Sequence, residues 1–278
     1  MDERRPLIRD GATLTGVDIG EGPAILFQHG LGGDERQVAE AFPDGAGFRR
    51  LTLECRAHGA SEPGALDRLS IATFADDALA FLDRRGVASF VAGGISMGAA
   101  IALRLAVIAP ERVRALVLAR PAWLAAPAPE NLRFYAEAGA LFDREPRTAG
   151  RDAFLASESG RLLAAEAPDN LASLSGFFAP DRPAWTGALL RAVAGDGPGV
   201  SEAEIRAIAT PTLVIGHGRD LAHPLACAET LAAMIPGARL VEITPKATDK
   251  VAYFGDFRAA LLEFLATLPA SPPDVSRM

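Results

Sequence analysis

The stretch Gly93-Gly94-Ile95-Ser96-Met97-Gly98-Ala99-Ala100 constrains this chain more than any other, because it sets a serine among small residues between an apolar run and a helical one. Ser89-Phe90-Val91-Ala92 before it reads as a short buried strand, and Ile101 to Ala106 after it as a helix, so Ser96 falls on a strand-to-helix turn. Gly94-x-Ser96-x-Gly98 has the spacing of a nucleophile elbow. Its glycines keep Cβ atoms out of a tight turn, leaving the serine Oγ exposed while the helix N-terminus aims backbone N–H groups at it. Five positions of small residues also recur by chance in an Ala/Gly-rich chain, and the bland reading is a turn with a solvated serine. Context decides between them.

That context is an alternation of short apolar strands with helices. Residues 7–20 hold two short β-like pieces around Asp10-Gly11, a hairpin dipeptide. Ala24 to Phe27 is a compact buried strand ending at Gln28-His29-Gly30-Leu31-Gly32-Gly33, with a helix expected after Asp34. Arg50 to Cys55 forms another strand, followed by Arg56-Ala57-His58-Gly59-Ala60-Ser61, and Ser70 caps a helix running to about Arg85. After the elbow helix, Val113 to Ala119 is again a buried strand. Such alternation predicts a mainly parallel sheet covered on both faces, with an antiparallel N-terminal edge.

From about Pro121 to Ala209 the rhythm changes. Asn131 to Phe142, Thr148 to Ser157, Leu171 to Phe178 and Ala184 to Ala194 carry helical patterning without a convincing strand. The expected organisation is therefore a core of residues 1–120 and 210–268, an inserted helical cap over 121–209, and a frayed tail at 269–278. Alternation resumes with the strand Thr212 to Gly216, a helix from Leu225 to Ile235, the strand Arg239 to Ile243 and a final helix from about Phe254 to Leu268.

A length of 278 residues allows a sizeable core, and a net charge of −7 offers no electrostatic footprint for nucleic acid or anionic membrane. Cys55 and Cys227 lack metal or redox spacing and read as free thiols. Met1 to Pro6 has no apolar secretory core and no run approaches membrane-spanning length, so the cytoplasm is the expected compartment.

Four motifs in order resemble the α/β-hydrolase superfamily over nearly the full chain: His29-Gly30, Arg56 to Ser61, Gly94-x-Ser96-x-Gly98, and Gly216-His217-Gly218-Arg219-Asp220. The resemblance implies an α/β-hydrolase fold in which Ser96 is the nucleophile, the backbone N–H groups of Leu31 and Met97 form an oxyanion hole, and Asp220 orients the base. Asp220 also fits a plainer role as N-cap of the helix beginning near Pro224. His29 and His58 match positions that are normally structural.

One departure matters. The family places its base in the loop after the last strand, here Thr244-Pro245-Lys246-Ala247-Thr248-Asp249-Lys250, and that loop has no histidine. A serine hydroxyl without a base is a poor nucleophile near neutrality. His223 is the first candidate for the missing base, His217 the second. Lys246 is the third, although beside Asp220 it would remain a charged ammonium filling the vacant site.

The reading that follows is a small-molecule hydrolase of carboxylic-ester or lactone type with an atypical base. Its alternatives are a catalytically silent ligand-binding protein and a non-covalent lyase, isomerase or decarboxylase using the same pocket. Trp123, Tyr135 and Trp185, with Phe134, Phe177 and Phe178, are candidates to line that pocket. No cofactor or metal is implied, the expected partner is a small-molecule substrate, and the oligomeric state is not readable.

Overall fold

In the computed structural model, residues 6–269 are described. The expected tail thus falls almost wholly outside the described residues, as does most of the N-terminal stretch. Three short strands open the chain: β1 (Leu7–Arg9), β2 (Ala12–Leu14) and β3 (Gly16–Ile19). β1 and β2 form the predicted hairpin as a separate two-stranded sheet, whereas β3 departs to join the main one.

There follow β4 (Ala24–Gln28), α1 (Glu35–Ala41), β5 (Arg49–Leu53), α2 (Ile71–Arg84), β6 (Phe90–Ile95), α3 (Met97–Ile108) and β7 (Val113–Ala119). Asp34 and Ser70 cap α1 and α2 by accepting bonds from Arg36 and Thr73 N–H. After a helical stretch come β8 (Thr212–Gly216), with α10 (Leu225–Met234) and β9 (Arg239–Glu242) behind it. The last helix is Lys250–Ala266, four residues longer at its start than expected because Asp249 caps it.

The main sheet has the order β3-β5-β4-β6-β7-β8-β9. Only β3 runs antiparallel, against β5; the remaining pairs are parallel. Period-two alternation sorts its side chains onto two faces. Ile25, Phe27, Val117, Leu213 and Ile215 join Val38 of α1 and Phe257 and Leu261 of the last helix in one core. Leu26, Leu116, Leu118 and Val214 join Phe74 of α2, Leu103 of α3 and Leu231 of α10 in the other. Each such large side chain contributes about 1.5–3 kcal/mol when fully buried, which fixes the strand register as well as the fold.

Between β7 and β8 the chain is helical: α4 (Arg133–Arg144), α5 (Arg147–Ala156), α6 (Glu158–Glu166), α7 (Pro168–Ser175), α8 (Thr186–Ala194) and α9 (Glu202–Arg206); the last helix of the chain is α11. The sequence pattern contained α4, α5, α7 and α8 but not α6 or α9. β4, β6, β7 and β8 are neighbours and parallel, so the loops after them open along one edge. Ser96, Arg120 and the 217–223 loop all leave the sheet there.

Candidate active site

Ser96 occupies the turn between β6 and α3 with φ 57° and ψ −112°, a conformation that costs a non-glycine residue about 1–3 kcal/mol and is held by its surroundings. Its N–H donates to the Ala119 carbonyl at the end of β7 (2.9 Å), and its carbonyl accepts from Ala99 and Ala100. The flanking glycines are required by close approach: a Cβ on Gly94 would run into the Gly98 backbone, and one on Gly98 into the Gln28 carbonyl. The elbow is thus wedged against the end of β4. Ser96 is 9% exposed.

The loop after β8 brings up the other two groups. His223 Nε2 lies 2.7 Å from Ser96 Oγ, and His223 Nδ1 lies 2.9 Å from Asp220 Oδ1. Asp220 Oδ1 also accepts the His223 backbone N–H at 3.1 Å, closing a tight turn that fixes the two side chains relative to one another. With Nδ1–H committed to the carboxylate, Nε2 presents its lone pair to the serine hydroxyl. Both side chains are buried. Burial lowers the His223 pKa; Asp220 opposes that and Arg120 adds to it.

Two residues absent from the sequence reading complete the arrangement. Arg120, the first residue after β7, donates through Nε (2.9 Å) and Nη2 (2.5 Å) to Asp220 Oδ2. Asn170 of α7 donates to Asp220 Oδ1 (2.9 Å) and accepts from Ala222 N–H (3.0 Å). Burial pushes the Asp220 carboxyl up, but Arg120 and then His223 pull it well below the usual carboxylate range. A charged residue straight after a buried parallel strand is a legible sign that it lies at the carboxyl edge. Asn170 has no such signal, since its partners are fifty residues away in sequence.

The remaining expectations divide. Asp220 does not cap α10, whose N-cap is Pro224 with no side-chain bond. His217 sends Nδ1–H to Gly218 O and stacks edge-on to Tyr253, leaving Nε2 3.6 Å from Asp220 Oδ2 rather than at Ser96. The cation paired with Asp220 is Arg120, so the vacant-site role considered for Lys246 is corrected: burial and two hydrogen bonds favour the guanidinium fork. His29 donates to Gly30 O and accepts from Cys55 N–H, bolting the β4 and β5 loops together, and His58 donates to Arg56 O.

Neither Leu31 N–H nor Met97 N–H donates to another group among the described residues. Met97 directly follows Ser96 and opens α3, and Leu31 follows Gly30, on which a Cβ would lie 3.4 Å from Ser96 Cβ. Of the expected pocket residues, Tyr135 packs edge-on to Phe177 and is near enough to Asp220 for that carboxylate to help burial push its pKa up to about 12. Trp123 is buried with its indole N–H on Asp196 O. Trp185 sits at the N-cap of α8, and its buried Nε1 has no partner among the described residues. Neither tryptophan bonds to Ser96, His223 or Asp220. A cleft of about 470 Å³, lined by Gly32, Gly33, His58, Phe177 and Arg182 among others, opens beside the Leu31 turn. Among the described residues, no helix is long and apolar enough to cross a membrane.

Known proteins share this framework. A family model described as alpha/beta hydrolase fold matches residues 23–247. A 2-hydroxymuconate semialdehyde hydrolase of Pseudomonas putida is 32% identical over 257 residues, covering 85% of this chain and 84% of the relative. A relative from Klebsiella pneumoniae subsp. pneumoniae, bearing a provisional carbamate hydrolase name, RutD, is 31% identical over 232 residues, 80% of this chain and 82% of that one. The crystal structure of the enol-lactonase from Burkholderia xenovorans LB400 superposes with a TM-score of 0.72 at 24% identity, covering 94% of this chain and all (100%) of that one, a likeness of fold alone.

Proposed function

This chain belongs to the alpha/beta hydrolase family, and from that premise we propose that it is a serine-dependent hydrolase of small carboxylic esters or lactones. The observation that carries the reading is the continuous relay Ser96 Oγ, His223 Nε2, His223 Nδ1, Asp220 Oδ1, with both contacts at hydrogen-bond length. A nucleophile, a base within reach and a third group orienting that base are the geometric requirements of acyl transfer.

Ser96 Oγ attacks the substrate carbonyl carbon as its proton passes to His223 Nε2. Leu31 and Met97 N–H groups receive the developing oxyanion, with no reorganisation needed at the moment of reaction. Collapse of the tetrahedral species expels the alcohol, which takes the proton from His223. Water then gives a proton to His223 and attacks the acyl-serine, and the acid departs as Ser96 recovers its hydrogen. Asp220 holds the imidazole in the tautomer that this cycle needs.

The histidine-free loop at 244–250 motivated a non-catalytic alternative, and that motive loses its force where His223 stands at the base position. The helical segment between β7 and β8 acts as a cap in this reading, with Tyr135 and Phe177 on its inner side and the 470 Å³ cleft as the approach. The comparisons favour small organic substrates, since the relatives are named for a semialdehyde and a carbamate. Turnover of p-nitrophenyl acetate and of a γ-lactone tests the proposal. The wild type is expected to hydrolyse at least one of them, and Ser96→Ala to lose at least about a thousandfold of that rate; equal rates in the two proteins would overturn it.

A further inference from the structure

Arg120 has a strained backbone and a costly location. It is one of six non-glycine residues with positive φ among the described residues, and Ser96 and Arg219 beside it are two of the others. Its left-handed turn (φ 48°), fixed by an N–H bond to Ile215 O at 2.7 Å, swings the side chain back over the end of the sheet. There the guanidinium is largely buried, against an Asp220 side chain that is 1% exposed. Strain kept at such a place points to use.

The geometry sets a cation against both Asp220 and His223. Asp220 gives one oxygen to His223 and surrenders the other to Arg120, whose Nη2 also stands 3.2 Å from His223 Nδ1. A proton added to His223 would therefore face a cation as well as a carboxylate. We infer that Arg120 is a positioning residue of the site: it locks the second Asp220 oxygen and, standing as a cation against the imidazole, opposes a proton on His223. The inference rests on the hydrolase reading for its consequence, but the interaction itself does not.

The other groups around the imidazole do not supply this effect. From its own loop His223 meets Asp220, which favours a proton; His217 at the end of β8 is neutral and buried. Ser96 from the elbow and Asn170 from α7 are uncharged, and Tyr135 from α4, its pKa pushed up by burial, stays neutral. Arg120 is the cation in contact, and burial together with that cation holds the His223 pKa below its ordinary value. The consequence is a weaker base that is fully available at a lower pH, a familiar trade in general-base catalysis.

Two readouts test this on the intact protein. The chain has four histidines, so NMR titration of the imidazoles, with His223→Gln for assignment, resolves His223 directly. The rate at which an ethoxy fluorophosphonate labels the protein is followed over the same pH series in wild type, Arg120→Lys and Arg120→Gln. Wild-type His223 is expected to titrate below about pH 6.5. Arg120→Gln should raise both the titration and the acid limb of labelling by about one pH unit or more, and Arg120→Lys should stay within a few tenths of wild type. A wild-type midpoint at or above about 6.5 overturns the inference even if Arg120→Gln does not fold. So does a folded Arg120→Gln with an unchanged midpoint, or a lysine variant that shifts as far as the glutamine one. Depressed His223 titration that rises in Arg120→Gln, with no labelling at any pH, would defeat the hydrolase reading and leave the role of Arg120 standing.

Discussion

The buried pairs Arg56–Asp77 and Arg120–Asp220 are built alike but used differently. Arg56, fully buried, reaches Asp77 of α2 through Nε (2.7 Å) and Nη2 (3.1 Å), and Arg9 closes on the same carboxylate at 3.3 Å. Both oxygens of the Asp77 carboxylate are taken by arginine there. Arg120 makes a similar fork on Asp220, but only one oxygen is taken; the other is left for Asn170 and His223, and through His223 for Ser96. The first pair ties the loop after β5 to α2. The second ties a loop to Ser96, and the difference is one carboxylate oxygen that no arginine takes.

Neutralising each aspartate separates the two roles. Asp220→Asn removes the orienting charge and favours the wrong imidazole tautomer, with an expected loss of about 10⁴ in turnover per folded molecule. Asp77→Asn should cost about 3–5 kcal/mol of stability, because it strands a buried guanidinium, while turnover per folded molecule stays within about twofold of wild type. Urea melts and ester turnover on the same preparations read both. If Asp77→Asn silenced the enzyme while still folded, or Asp220→Asn left it active, the contrast would collapse.

Asn170→Ala sharpens the comparison from the side of the helical segment. It removes one bond to Asp220 and leaves Ala222 N–H unpaired, at a cost of about 1–3 kcal/mol. Turnover should fall about tenfold, the rate equivalent of about 1.4 kcal/mol, with KM changed less than kcat if Asn170 acts through Asp220. A change confined to KM would place Asn170 in the substrate pocket instead.

The gentlest probe is pH. Burial lowers the pKa of His29, His58, His217 and His223, with His58, on the Arg56 loop, down to about 3. Each binds a proton more readily in the unfolded chain than in the folded one. Stability from these groups is therefore complete above about pH 6.5 and is lost as pH falls below it, by up to about 1.4 kcal/mol per pH unit for each histidine. Urea midpoints between pH 7.5 and 5.5 should fall accordingly, and His58→Gln should flatten the slope; a flat wild-type profile would contradict this.

The same contrast explains what the sequence made legible. The sheet, the caps at Asp34 and Ser70, and the Ser96 elbow depend on neighbours within a few residues, and their patterns are local. The turn holding Asp220 and His223 is also local, yet the sequence left His223 beside His217 and Lys246 as competing bases. Choosing among them needs the 2.7 Å contact to Ser96, made across 127 positions of sequence. Arg120 and Asn170 reach Asp220 from 100 and 50 positions away, and neither belongs to a motif. α9 went unread because its five residues carry too few turns to establish a period, and α6 because adjacent Leu162 and Leu163 followed by two alanines leave no apolar stripe.

The most direct test of the central claim is intact-protein mass spectrometry after brief fluorophosphonate treatment, with the modified peptide mapped, in wild type, His223→Ala and Lys246→Ala. The relay of Ser96, His223 and Asp220 predicts a single adduct on Ser96, formed rapidly in wild type and in Lys246→Ala and suppressed by about a thousandfold or more in His223→Ala. An adduct that forms as fast without His223, or that requires Lys246, would contradict it.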